Sequence, residues 1–194
     1  MPGVEGEIKQ EELDALREAR RRIALAQVRQ YPDAALRLRA NRVTEFDASL
    51  ADLAERMSSL MREANGVGLA ATQIGVLRRV FVYQSGEEEP VVALVNPVVV
   101  ESSEERETAE EGCLSLGAAS VVVDVERALA VVVEASSPEG APLRIEAEGL
   151  EARVIQHELD HLDGVLIIDR ASPEQRRSAL AQLRPQPVLA RGNA

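Results

Sequence analysis

The residues with the clearest chemical potential are His157, Glu158 and His161. In residues 149–164, Leu150, Val154, His157, Glu158 and His161 recur at helical spacing, so one helix face runs from an apolar base into two imidazoles and a carboxylate. Two histidines at i and i+4 stand one above the other on an α-helix and can grip a single ion. A glutamate beside the first can handle the proton of an attacking water. The pattern His-Glu-x-x-His also arises by chance on exposed helices, but both of the chain's two histidines fall inside it, which turns the balance toward a metal site.

A third ligand is needed, and Cys113, the only cysteine, is the one soft candidate. A lone cysteine is ordinarily a small buried hydrophobe. Beside a two-histidine helix the balance reverses, and one thiolate with two imidazoles leaves a fourth position open, as in a catalytic rather than a structural site. A thiolate donates more charge than a third imidazole would, which lowers Lewis acidity and exposes the sulfur to oxidation. Gln156 and Asp160 adjoin the ligands and are read equally as partners of the site or as solvent-facing residues.

The elements that must hold these groups can be read in order. Residues 1 to about 8 are polar and expected to lack fixed structure. Residues 10–29 carry a moderate helical pattern (Leu13, Leu16, Ala19, Ile23), broken at Tyr31-Pro32-Asp33. From Asp47, Leu50, Leu53, Ala54, Met57, Leu60, Met61 and Ala64 define a core helix that Asn65-Gly66 ends. Residues 66–75, rich in Gly and Ala, match neither periodicity and let backbone approach a ligand or another segment closely. Strands are expected over 78–83, 91–100, 121–125, 129–135 and 143–147, with Pro97 marking an edge or a bend and residues 136–140 a hairpin loop. Gly164 stops the metal helix, residues 165–168 read as a short strand, and Ser172-Pro173-Glu174-Gln175 opens a last helix with a capping signal. The fold class that follows is α+β, with antiparallel β-sheets packed around a central metal-binding helix.

The 194 residues fit one domain with extensions: an N-terminal extension over 1–26, a catalytic domain over 27–184 and a tail over 185–194. Aromatic residues make up 2% of the chain, so the core must be aliphatic. A net charge of -11 argues against direct nucleic-acid binding or an anionic membrane surface. Arginines 17, 20, 21 and 22, and 170, 176, 177 and 184, read as solvated faces. A single cysteine, no signal-like start and no apolar run of membrane length suggest a cytoplasmic, soluble protein, expected to be a monomer.

Three runs, Gly66-Val67-Gly68-Leu69-Ala70-Ala71-Thr72-Gln73, Glu111-Gly112-Cys113-Leu114-Ser115 and Gln156-His157-Glu158-Leu159-Asp160-His161, together resemble in order and spacing the motifs of peptide deformylases. The resemblance spans roughly residues 27–183. It implies removal of the formyl group from the N-terminal formylmethionine of nascent chains, with release of formate. It also implies that Cys113, His157 and His161 bind a divalent metal, typically Fe2+, with Zn2+, Ni2+ or Co2+ able to take its place. Glu158 would be the base, and Gln73 and the Leu114 N–H would stabilise the oxyanion. A methionine pocket would draw on Val67, Gly68, Leu150 and Val154, whose apolar members are equally readable as core. Arginines in the last helix and tail leave a transient ribosome contact open.

The chain departs from the family after Ser115. Leu116-Gly117-Ala118-Ala119-Ser120 lacks the usual proline, and Ser120 stands about where an arginine approaches the peptide backbone. Asp33-Ala34-Ala35-Leu36 replaces the usual Asp-Pro-Val-Leu near the start. Two rival readings remain: a zinc metallopeptidase, for which Glu174 is an available third ligand, and a non-catalytic metal-containing module that binds N-termini.

Overall fold

The computed structural model describes residues 3–86 and 88–184, with side chains described from residue 12 onward. The tail expected over 185–194 lies outside the described residues. Helix α1 (Gly3–Leu25) starts earlier than the sequence pattern suggests. The stretch expected to lack structure is helical from residue 3; Glu5 and Glu7 suit a helix N-terminus, and no proline follows position 2 within it. Ion pairs Asp14 with Arg17 and Glu18 with Arg21 and Arg22 run along it. Among its described side chains the end is the anchored part: Ala24 is buried, and Val28 beyond it, whereas Leu13, Leu16 and Ile23 are exposed.

Helix α2 (Ala48–Glu63) begins where the Asp47 carboxylate accepts from the Leu50 N–H at 3.1 Å, and its buried face is Leu50, Ala54, Met57, Leu60 and Met61. Asn65, at φ 58°, supplies the left-handed residue that ends it. There follow β1 (Gly68–Ala70), a 3-10 turn (Ala71–Ile74), β2 (Val80–Tyr83), β3 (Val92–Ser102), β4 (Arg106–Gly112), β5 (Val122–Ala128), β6 (Ala130–Ser136) and β7 (Pro142–Glu148). Helices α3 (Gly149–Leu162), α4 (Ile167–Arg170) and α5 (Pro173–Leu183) complete the described chain.

The strands form a five-stranded antiparallel sheet in the order β1-β2-β3-β6-β7 and a separate β4-β5 hairpin. Strand β2 shows how the core divides. Because side chains alternate faces, Val80 and Val82 join the cluster of α2, while Phe81 and Tyr83 join the cluster of α3 with Ile155, Leu159 and Leu162. Helix α3 thus touches β1, β2, β6 and β7 on one side and β5 on the other. A third cluster ties Cys113 and Leu116 to Val121, Val123 and Val125 and to α4 and α5. Antiparallel sheets around a central α3 are the α+β arrangement expected.

Several local readings are corrected. Pro97 lies on an interior strand, between β2 and β6, so it marks a bend and not an edge. The register shifts between Val95 and Val98, and Asn96, at φ 54°, turns its amide to the backbone of Val43 in two bonds of 2.8 Å. Strands β1 and β4 are additional to those expected. Residues 165–168 do not form a strand: Asp169 accepts from the Leu166 N–H at 2.9 Å and winds the apolar run into α4. Ser172 caps α5 as expected, accepting from Gln175 N, but the Gln175 side chain goes to Asp124 at 2.7 Å instead of closing a capping box.

Ile155 is fully buried on the face of α3 turned toward the sheet. Ile155→Ala is expected to lower unfolding stability by about 2–5 kcal/mol, seen as a lower urea midpoint at unchanged slope.

Candidate active site

Helix α3 presents His157, Glu158 and His161, and the turn leaving β4 presents Cys113. His161 Nε2 is 3.2 Å from both Cys113 Sγ and His157 Nε2, and the ligand atoms of all three residues lie within 4.8 Å of one another. A tetrahedral ion with metal–nitrogen bonds of about 2.0–2.1 Å and a metal–sulfur bond of about 2.3 Å would hold its ligand atoms roughly 3.3–3.6 Å apart. The donor set fits such an ion. Among the described residues no other group of this kind is found, and Glu174 sits in the first turn of α5.

His157 is oriented from behind. Its Nδ1–H donates to Glu111 Oε2 at 2.9 Å, which leaves Nε2 with its lone pair turned toward His161 and available to a metal ion. Glu111 is in turn gripped by Arg127 through two bonds of 2.9 Å and by Arg153 at 2.9 Å. Burial opposes the Glu111 charge, yet the hydrogen bonds from Arg127 and His157 overcome it and pull the carboxyl down to about 2. Because that value lies below the ordinary 4.5, the stabilisation by Glu111 is complete above 4.5 and is lost as pH falls through about 2. Arg127 reaches on to Asp160, which also holds Arg170. Asp160 is therefore buried in an ion-pair chain, and Gln156 bonds the backbone of Ala128 at both N and O; neither side chain hydrogen-bonds Cys113, His157 or His161.

Burial raises the Glu158 carboxyl to about 7. Its Oε2 is buried without a hydrogen-bond partner, in the wall of a cleft. Burial holds the His161 pKa well below the usual imidazole range and so keeps it neutral.

The small residues of 66–75 now have a reason. A Cβ on Gly68 would overlap the Glu158 carboxylate, and one on Gly66 would stand 2.8 Å from Leu114 Cδ1. Gln73 is locked by its Oε1, which accepts from Ala70 N at 2.8 Å, and its Nε2 then points to Ser115 Oγ at 3.2 Å and toward Cys113 Sγ at 3.7 Å. Gln73, Leu114 and Glu158 line the same cleft as Val67, Gly68, Leu150 and Val154. Val67 and Leu150 are 55% and 62% exposed, so they are cleft residues and not core; Val154 is buried. The departing loop is a tight turn with Gly117, Ala118 and Ala119 all left-handed, at φ 60°, 54° and 67°; Ala119 reaches the cleft and Ser120 is exposed. Sequence reasoning missed the roles of Glu111, Arg127 and Arg153, for which the only signal was Glu111's place within the cysteine motif.

The sequence model of the polypeptide deformylase family matches residues 25–177. Peptide deformylase 1 of Corynebacterium glutamicum is 42% identical over 164 residues, covering 84% of this chain and 96% of that protein. The peptide deformylase of Thermotoga neapolitana is 47% identical over 149 residues, covering 77% and 88%. Among solved structures, a peptide deformylase from Legionella pneumophila superposes with a TM-score of 0.76 at 41% identity, covering 80% of this chain and 91% of that one. The chain belongs to the peptide deformylase family.

Glu111→Gln is expected to weaken retention of a divalent metal by roughly 10–100-fold, because His157 loses its anionic partner. Competition with a chelator, read as bound metal per protein, measures it.

Proposed function

We propose that this protein removes the formyl group from the N-terminal formylmethionine of newly made polypeptides and releases formate. The observation that carries the reading is the convergence, in one cleft, of three ligand atoms, a buried carboxylate oxygen without a partner, and the locked amide of Gln73.

Cys113, His157 and His161 hold the ion, Fe2+ in our reading, with Zn2+, Ni2+ or Co2+ also suited to the same donors; when bound it supplies Lewis acidity toward water and the formyl group. Glu158, with a carboxyl near neutrality, takes a proton from the attacking water and delivers one to the departing amine as the carbon–nitrogen bond breaks. Gln73 Nε2 and the Leu114 N–H donate to the formyl oxygen as it gains charge, a contribution of a few kcal/mol. Val67, Leu150 and Val154 give the methionine side chain an apolar wall, and Gly68 lets the substrate backbone lie close to Glu158. The end of α1 at Leu25 and the family match from residue 25 support a catalytic domain over 27–184 preceded by an extension. No helix among the described residues is long and apolar enough to cross a membrane, in keeping with action on nascent chains in the cytoplasm.

Anaerobic assay of iron- or nickel-loaded protein with formyl-Met-Ala should yield formate. Chelation should abolish the release and metal addition restore it, while Glu158→Ala should lower kcat by about 10²-fold or more. No formate despite a filled metal site would reject the reading in favour of a module that only binds N-termini. Ser120 offers neither the charge nor the reach of a guanidinium. Ser120→Arg is therefore expected to lower KM for formyl-Met peptides, and equal KM values would show that position 120 does not limit peptide binding.

A further inference from the structure

The segment that follows α1 is hydrogen-bonded to two stretches whose residues Gln73 and Leu114 line the cleft. The Arg29 N–H donates to Gln73 O at 2.6 Å, and the Tyr31 N–H donates to Ser115 O at 2.9 Å. These bonds join the two stretches that supply the oxyanion donors. Between them, Gln30 Nε2 donates to Leu114 O at 2.8 Å and to Val28 O at 3.3 Å, and Gln30 Oε1 accepts from the Ala118 N–H at 3.4 Å.

The Leu114 carbonyl shares a rigid peptide plane with the Ser115 N–H, and that N–H meets Cys113 Sγ at 3.4 Å. Whatever fixes the carbonyl on one side therefore fixes the donor on the other. The same plane sets the ψ angle of Leu114, whose own N–H belongs to the preceding peptide. The loop that follows needs support as well, since Ala118 and Ala119 occupy left-handed backbone that alanine disfavours. Besides the Gln30 amide, Cys113 O supports it, accepting from Leu116 N and Ala119 N at 3.0 Å each.

We infer that Gln30 is a positioning residue: by holding the Leu114 carbonyl it aims the Ser115 N–H at the Cys113 sulfur and the Leu114 N–H at the reacting formyl oxygen. The second half of this statement rests on the deformylase reading. The first does not. A hydrogen bond to a ligating sulfur withdraws charge from it, so loss of Gln30 alters the electronics of the metal centre as well as the geometry of the donor.

Substitutions of opposite polarity test this. Gln30→Glu keeps length and the acceptor for Ala118 but sets a carboxylate against the Leu114 carbonyl, whereas Gln30→Lys keeps a donor. In the cobalt-substituted protein, the thiolate-to-cobalt charge-transfer band should shift in Gln30→Glu and stay in place in Gln30→Lys. With formyl-Met-Ala, Gln30→Glu should lose roughly 10-fold in kcat, a fraction of what deleting an oxyanion donor costs, at a KM within about 2-fold of wild type, and Gln30→Lys should stay near wild type. An unshifted band and wild-type kcat in Gln30→Glu would overturn the inference. So would a Gln30→Lys protein as impaired as Gln30→Glu, or losses that merely follow the unfolding midpoint. A wild-type protein that releases no formate would defeat the deformylase reading, while the cobalt band would still decide the bond to sulfur.

Discussion

The carboxylate of Glu111, buried between Arg127, Arg153 and His157, is the contact on which the arrangement of the site depends. Removing such charges from water is costly, and pairing only about balances that cost; deleting one partner of a buried pair typically costs about 3–5 kcal/mol. What the cluster provides is geometry. It joins β4, β5 and α3 at a single point and turns the His157 ring so that one nitrogen is spent on Glu111 and the other faces His161. Arg127 extends the clamp through Asp160 to Arg170, so the end of α4 is tied to the same centre.

The close packing on the other side of the cleft is steric. Gly66 and Gly68 bring backbone against Leu114 and Glu158 where any side chain would collide. The Glu158 carboxyl is thus packed closely against Gly68, and its burial disfavours the ionised form.

Much of this was legible in the sequence because the chemistry is local or scarce. His157, Glu158 and His161 announce themselves by helical spacing, and Cys113 by being the sole cysteine. Helix α2 and β5 to β7 follow from strong periodicities. What could not be read depends on tertiary partners. Strand β4, Arg-Glu-Thr-Ala-Glu-Glu-Gly, is polar along most of its length and is a strand because β5 pairs with it. Four apolar residues at 165–168 suit a strand or a helical turn equally, and Asp169 decides it. Arg127, Arg153 and Glu111 look like solvated charges, since only the fold reveals that they bury one another.

Helix α1 carries the opposite case of the same interaction. Its Asp14–Arg17 and Glu18–Arg22 pairs lie in open solvent, where residues 12–20 are exposed on every side. Ions in solution weaken pairs of that sort readily and reach enclosed ones far less. Raising ionic strength is therefore expected to loosen the pairs along α1 while leaving the enclosed Glu111 cluster intact.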